Sequence, residues 1–215
     1  LEDVIALISL YRPGPMDSIP TYLRNRHEPD KISYKTPQLA HILDVTNGCI
    51  VYQEQVMQIF RELAGFSFGQ ADNVRRAMSK KKHAVMEAER EHFVHGCTEP
   101  GHECPGCVAN GISEKVANEI YDEMSSFASY AFNKSHAACY AYVAFQTAYL
   151  KCHYPSEFMA ALLTSVLDNT DKVIEYSGEC ARLSIKVLPP DVNISNGGFT
   201  ADNGKIRFGL NAVKN

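Results

Sequence analysis

Hydrophobic positions in this chain recur mostly at helical spacing. Val56, Ile59, Phe60 and Leu63 lie three or four residues apart, which predicts a helix over 53–64 with one buried side. Similar spacing predicts further helices over 1–10, from about 68 onwards, and over 83–95, 114–127, 156–167 and 171–184. The pattern therefore indicates a mainly α fold built from many helices.

The pattern changes after residue 184. Residues 185–188 are apolar and β-prone, Pro189 and Pro190 interrupt them, and 199–210 reads as a hairpin with a primed turn at Asn203-Gly204. These signals predict a small β-hairpin or strand element near the end of the chain. They divide the chain into a helical domain over 1–184 and a β-containing connector over 185–215.

The segment from 124 to 156 contains no aspartate or glutamate. Its aromatic residues alternate with small alanines: Phe127, Tyr130, Phe132, Tyr140, Tyr142, Phe145, Tyr149 and Tyr154. Such a composition predicts a helix that is buried on most of its sides in the middle of the fold. The chain has no run of 18 apolar residues, so no membrane-spanning segment is predicted.

Bulk composition places the chain in the ordinary soluble class. It has 215 residues, of which 45% are hydrophobic, a formal net charge of −4 and an estimated pI of about 6.1. The overall charge would not concentrate the chain on nucleic acid, so any polyanion binding must be local. Seven cysteines, an odd number and mostly scattered, favour a reducing cytoplasmic compartment over a secreted disulfide framework.

One short segment is strongly cationic. It carries five cations within eight residues: Arg75, Arg76, Lys80, Lys81 and Lys82. Arginine binds phosphate oxygens with two parallel hydrogen bonds. No acid lies between Asp72 and Glu87 that could pair with these cations along the helix. The cluster therefore predicts an anionic ligand. Lys81 would project towards the apolar side, so either the helix ends by Lys80 or Lys81 extends past that side.

A second phosphate-competent segment is Asn133-Lys134-Ser135-His136. Asn133 or Ser135 can cap a helix that begins near His136. Free backbone amides at that helix N-terminus, together with Lys134, would form an anion site. Ordinary capping with a packed histidine is the alternative interpretation.

Three of the seven cysteines cluster in a predicted loop over 96–111. Cys97, His102, Cys104 and Cys107 supply three thiolates and one imidazole, the right number and softness for a tetrahedral zinc site. Pro105-Gly106 provides a tight turn between the last two sulfurs. His95 is an alternative ligand, and a reduced loop without metal is the alternative interpretation.

Several longer sequence segments resemble those of the α subunit of bacterial DNA polymerase III. They are LISLYRPGPM (7–16), VYQEQVMQI (51–59), AGFSFGQADNVRRAMSKKK (64–82), FASYAFNKSHAACYAYVAFQTAYLK (127–151), YPSEFMAALLT (154–164), VLPPDVN (187–193) and IRFGLNAVKN (206–215). The resemblance covers essentially the whole chain. The family commonly has glycine where this chain has Ser79 and Ala131, so both backbones are expected to adopt ordinary conformations.

The resemblance implies a fingers region, with its ends between the palm and the helix-hairpin-helix part of a DNA-directed DNA polymerase. It assigns Arg75 and Arg76 to the triphosphate of an incoming deoxynucleotide, and Lys80 and Lys81 either behind them or on the template. The segment Asn133, Lys134, Ser135 and His136 would complete the nucleotide pocket. Lys82 and Arg12 would contact DNA, although packing is the favoured role for Arg12, as it is for Gln53 and Gln55.

In this family the catalytic aspartates that bind Mg²⁺ belong to the palm, and no Asp-x-Asp pair occurs in the 215 residues. The fragment alone is therefore expected to be inactive. Primer-template DNA and deoxynucleoside triphosphates are the implied partners, and sliding clamp and clamp-loader subunits would bind other regions. A non-catalytic nucleic-acid-binding module with a zinc knuckle is the alternative function.

Overall fold

The computed structural model of the protein describes residues 1–80, 83–128 and 130–213. Within these ranges the chain forms eleven α-helices joined by turns and short 3₁₀ segments: α1 (Glu2–Leu10), α2 (Ile19–His27), α3 (Ala40–Leu43), α4 (Gln53–Ala64), α5 (Phe68–Ser79), α6 (His83–His95), α7 (Gly106–Ala109), α8 (Glu114–Ala128), α9 (Lys134–His153), α10 (Pro155–Ser165) and α11 (Thr170–Arg182). Three short strands lie near the end: β1 (Val187–Leu188), β2 (Thr200–Asp202) and β3 (Lys205–Arg207). The predicted fold class, mainly α with a small C-terminal β element, is confirmed. No helix in the described ranges is long and apolar enough to cross a membrane.

The chain divides into two compact units, residues 1–141 and 142–215. This division differs from the boundary at 184/185 that the change of pattern predicts. The main core of the first unit is built around α4, whose predicted apolar side, Val56, Ile59, Phe60 and Leu63, is 0% exposed. The Phe60 ring lies 5.1 Å from Phe93 and 6.0 Å from Tyr121, both at edge-to-face angles.

A reciprocal cap fixes the start of α5. Ser67 Oγ accepts a hydrogen bond from the Gln70 backbone N–H (3.3 Å), and Gln70 Oε1 accepts one from Ser67 N–H (2.6 Å). The helix ends at Ser79, and Lys80 follows as its exposed C-cap. The first of the two predicted alternatives is therefore correct, because the helix stops before Lys81. Lys81 and Lys82 lie outside the described residues.

A second core cluster in the first unit joins three distant parts of the sequence. Ile5 and Leu10 of α1 pack with Tyr22, with Tyr52 and with Ala137 near the start of α9. Tyr52 and Phe132 form a parallel bridge, in which Gln53 N–H donates to Phe132 O (3.0 Å) and Phe132 N–H donates to Val51 O (3.2 Å). This pairing holds the start of α9 beside the start of α4.

The second unit packs α10 and α11 on the three strands. β3 lies between β1, to which it is parallel, and β2, to which it is antiparallel. Asn203 (φ 50°) and Gly204 (φ 75°) connect β2 to β3, and two successive positive φ angles identify the primed turn that the sequence predicts.

The prediction that the acid-free helix is buried is wrong for the described residues. Only Ala137 and Ala141 of α9 are buried. Tyr140 is 60% exposed in the first unit, and Tyr142 and Phe145 are 56% and 57% exposed in the second. The small alanines permit the close packing of the second core cluster, whereas the large rings lie on the other sides of the helix.

Candidate nucleotide-binding site

Arg75 is held in place by side chains on two helices. Its Nε and Nη2 donate to Asp72 Oδ1 at 3.0 and 2.7 Å, and its Nη1 donates to Gln53 Oε1 at 3.1 Å. The Arg75 side chain is only 18% exposed. The guanidinium is thus oriented by the first turn of α4 and by its own helix before any ligand binds.

Arg76 shares the same carboxylate but faces solvent. Its Nε lies 2.7 Å from Asp72 Oδ2, and its side chain is 65% exposed. Although no acid lies between Asp72 and Glu87, Asp72 itself pairs with both arginines, at i+3 and i+4. The hydrogen bond from Arg75, with the positive charge of both arginines, lowers the pKa of Asp72 despite its partial burial.

The shared carboxylate predicts a pH-dependent stability. Because the pKa of Asp72 is lowered by folding, its stabilisation is complete above the unfolded-state pKa of about 3.9 and is lost as the pH falls through the lower folded-state value. Asp72→Asn is expected to lower the free energy of unfolding by about 1 kcal/mol near pH 7 and by much less at about pH 3. Denaturant titrations at several pH values measure this difference.

The control for that prediction is the same substitution in an Arg75→Ala/Arg76→Ala background. With both cations removed, only the desolvation of the carboxyl remains and it raises the pKa of Asp72, so Asp72→Asn should no longer cost more stability near pH 7 than near pH 3. A pH-dependent loss that persists in this background would contradict the assignment of the pKa shift to the two arginines.

Gln53 connects the cationic segment of α5 to the residues that immediately precede the second phosphate-competent segment. While its Oε1 accepts from Arg75, its Nε2 donates to Ala131 O at 3.0 Å. Ala131 lies immediately before the bridge residue Phe132, and it is not among the residues with positive φ, as its expected ordinary conformation requires. The structure therefore brings the cationic segment of α5 and the start of α9 into one cluster.

The N-terminus of α9 is capped as predicted, but it already has an anionic partner. Asn133 Oδ1 accepts from His136 N–H at 3.0 Å. The Glu54 carboxylate accepts from Lys134 N–H at 3.1 and 3.2 Å, and Lys134 Nζ lies 3.3 Å from Glu2 Oε2. The Glu54 carboxylate therefore occupies part of the position at this helix N-terminus where the sequence predicts an anion.

Exposed groups of this segment surround the capped terminus. Asn133, Ser135 and His136 are exposed, whereas Lys134 is partly buried. The His136 ring lies 5.4 Å from Phe132 and 4.9 Å from Tyr140. These rings form a short aromatic row that leads outwards along α9.

Arg12 takes the packing role that the sequence analysis favours. Its Nε donates to Ser9 O at 2.9 Å, its Nη2 contacts Tyr130 O, and its guanidinium lies 4.4 Å above the Phe132 ring. Desolvation lowers the pKa of Arg12. Gln55 also packs, since it is 3% exposed and donates to Ile42 O and Thr46 Oγ1.

The four proposed zinc ligands are not assembled as a metal site. Cys107 is fully buried in the main core at α7, Cys104 is 8% exposed, and His102 is exposed at the turn. Across 1–80, 83–128 and 130–213 there is no group of three or more His, Cys, Asp or Glu side chains that could hold a metal ion. The 96–111 segment is also more ordered than the predicted loop, because it contains α7.

Three residues of the cluster, Asp72, Gln53 and Glu54, are not among the binding residues that the sequence predicts. The sequence favours packing for Gln53 and marks Asp72 only as the boundary of the acid-free stretch. The i+3 and i+4 spacing of Asp72 from the arginines was a sufficient signal. The partners of Gln53 and Glu54 lie about 80 residues away in sequence, so no local pattern could reveal them.

Comparison with known proteins adds independent findings. A family model described as the bacterial DNA polymerase III alpha subunit finger domain matches residues 1–101. A model for the helix-hairpin-helix motif matches residues 184–215, the segment that sequence analysis treats as a connector towards such a region. Strands β1 to β3 lie within that second match.

Curated relatives are similar over the whole chain. The DNA polymerase III subunit alpha of Thermus aquaticus is 50% identical over 220 residues, which cover 100% of this chain and 17% of the relative. The protein of the same name from Bacillus subtilis is 46% identical and covers 100% and 18%, respectively. The Pasteurella multocida protein is 45% identical and covers 99% and 18%. The chain thus spans less than a fifth of the length of these relatives.

Proposed function

The chain belongs to the family of bacterial DNA polymerase III α subunits, and we propose that in the whole protein it binds the incoming deoxynucleoside triphosphate beside the primer-template. The parent protein is a DNA-directed DNA polymerase of replication. Mg²⁺ is held by carboxylates outside these residues, and clamp and clamp-loader subunits bind other parts of the polypeptide. The 215-residue segment alone is inactive.

The Arg75–Gln53–Ala131 connection is the observation that carries this proposal. Arg75 and Ala131 lie 56 positions apart in sequence, and the Gln53 side chain bonds to both, so it connects the cationic segment with the residues just before Asn133. A solvated helix face would not need such a connection. A binding pocket needs such a connection, because its cations must keep a fixed position relative to the groups that hold the rest of the ligand.

The two arginines have different roles in this proposal. Arg76, which is 65% exposed, contacts the phosphates directly, whereas Arg75 is largely buried and positions the cluster. Negative charge moves towards the leaving pyrophosphate during nucleotidyl transfer, and a fixed guanidinium stabilises that charge without reorganising. Lys80, exposed at the end of α5, adds positive charge behind Arg76. Lys81 and Lys82 lie outside the described residues; the family resemblance assigns Lys81 to the triphosphate or the template and Lys82 to DNA.

The start of α9 binds the remainder of the nucleotide. Asn133, Ser135 and His136 are exposed there, and Lys134 is turned towards Glu2. A phosphate at the Lys134 amide would have to displace Glu54, so the triphosphate depends on α5 and this segment supports sugar or base. Such a division keeps two groups of negative charge apart, which avoids repulsion between Glu54 and the phosphates.

Gln53→Ala tests the connection in the full-length polymerase. Loss of hydrogen bonds of about 1 kcal/mol should raise the KM for deoxynucleoside triphosphate about three- to tenfold, with primer-template affinity unchanged. Gln58→Ala is the matched control, because Gln58 is exposed on the same helix. Steady-state kinetics and DNA-binding titrations measure the two effects separately.

The alternative function makes the opposite prediction. If the cluster only grips nucleic acid, Gln53→Ala and the arginine variants would weaken DNA binding and reduce its salt dependence while the nucleotide KM stays unchanged. That result would overturn the nucleotide-binding proposal and favour a DNA-binding role.

A further inference from the structure

The segment between α6 and α7 places two thiols opposite each other. Cys97 N–H donates to Cys104 O at 2.9 Å, and Cys104 N–H donates to Cys97 O at 2.9 Å, in an isolated antiparallel bridge. Residues that exchange both hydrogen bonds have Cα atoms about 5.5 Å apart and side chains on the same face. Disulfides form across Cα separations of about 4.4–6.8 Å. The backbone is therefore already at a distance that a disulfide requires.

Two glycines hold this register. Gly96 has a φ of 88°, and a Cβ there would lie 2.5 Å from Pro105 O. A Cβ on Gly106 would lie 2.3 Å from Gly96 N. The two backbone arms thus touch directly beside the bridge, where only glycine fits, and this contact keeps Cys97 opposite Cys104.

We propose that Cys97 and Cys104 are a site of reversible oxidation, at which a small-molecule disulfide such as glutathione disulfide converts the two thiols into an intramolecular disulfide. The Cys97 thiolate attacks one glutathione sulfur, a mixed disulfide forms, and one glutathione leaves. Cys104 Sγ then attacks Cys97 Sγ and releases the second glutathione. Two electrons and the two thiol protons end on the two molecules of glutathione.

The exposure of the two thiols indicates which of them reacts first with the oxidant. Cys97 is half-buried and borders an open cavity of about 350 Å³ that Thr98, Glu103, Cys104 and Pro105 also line, so an oxidant can reach it. Cys104 is only 8% exposed but lies directly opposite Cys97 in the bridge, so it is less accessible to the oxidant and is placed to attack the mixed disulfide on Cys97.

Cys107 is the competing thiol, and the structure disfavours it. It is fully buried in the main core, and burial raises the pKa of its thiol to about 12. A thiol that is neither accessible nor ionised reacts slowly with a disulfide.

Proteolysis after glutamate can distinguish the candidate linkages. In the full-length protein such cleavage separates peptide 92–103, which carries Cys97, from peptide 104–114, which carries Cys104 and Cys107. After incubation with glutathione disulfide and alkylation, mass spectrometry should find these two peptides joined, with Cys107 alkylated. Dithiothreitol should separate them again.

Substitutions test the order of attack. Cys104→Ser should leave a stable glutathione adduct on Cys97, and Cys97→Ser should abolish both the adduct and the linkage. Cys152→Ser, an exposed thiol on α9, is the control and should leave the linkage intact. Alkylation of both Cys97 and Cys104 after oxidation, a Cys104–Cys107 linkage, or one equivalent of zinc that protects the thiols would each overturn the proposal.

Discussion

Arg76→Ala in the full-length polymerase is expected to raise the KM for incoming deoxynucleoside triphosphate about 10- to 100-fold. A charge-assisted hydrogen bond contributes about 1.5–3 kcal/mol, and each 1.4 kcal/mol is tenfold in affinity. The large effect follows from the exposed position of Arg76, which leaves its guanidinium accessible to a phosphate while Asp72 fixes its orientation. Single-nucleotide incorporation at varied nucleotide concentration measures the change.

Arg75 and Arg61 supply the comparisons. Arg75→Ala should lower kcat as well as raise KM, because it removes the support that positions the cluster through Asp72 and Gln53. Arg61→Ala removes an exposed arginine from the neighbouring helix α4 and should leave both constants nearly unchanged. Primer-template affinity should stay within about threefold in the Arg76 variant. If Arg76→Ala and Arg61→Ala raised the KM equally, the effect would come from the loss of positive charge in general and not from the loss of a contact to the nucleotide.

Phe60→Ala is expected to lower the free energy of unfolding by about 3–5 kcal/mol. The ring is 0% exposed and contacts Phe66, Phe93 and Tyr121, so its removal leaves a cavity that α4, α6 and α8 cannot close without moving. Because a single domain has only about 5–15 kcal/mol of stability, this loss is large. Denaturant unfolding of the 215-residue chain, followed by circular dichroism, measures it.

Phe68→Ala is the matched control for that experiment. Phe68 begins α5 and is 65% exposed, and its removal should change stability by less than about 1 kcal/mol. If both phenylalanine variants lost stability equally, the main core would not be centred on Phe60.

Local elements could be predicted from sequence where the residues that cause them lie within a few positions of one another. The apolar spacing of α4, the Asn133 cap of α9 and Asn203-Gly204 between β2 and β3 each act within a few residues. Helix position, helix cap and turn type therefore followed from sequence. Cys97, Cys104 and Cys107 show the limit of such patterns, because ligand spacing in sequence does not fix how deeply each sulfur is buried.

Helix α9 shows the same limit for burial. Its lack of acids and its many rings predict a buried helix, yet Tyr140, Phe145 and Tyr149 are 60%, 57% and 49% exposed. The composition of a helix indicates which contacts its surface can make, whereas its burial depends on which other elements the fold places against that surface. In the described residues, packing of α9 selects the alanine side.

The sequence by itself determined the mainly helical class, the C-terminal hairpin, the family resemblance and the cationic segment at Arg75 and Arg76. Tertiary structure alone decided that Gln53 bonds to both Arg75 and Ala131, that Glu54 occupies part of the predicted anion position at the start of α9, and that Cys97 faces Cys104. The physical reason is the separation in sequence between the residues that interact. Helix periodicity and caps act over a few residues, but hydrogen bonds between residues 80 positions apart exist only after the core has packed.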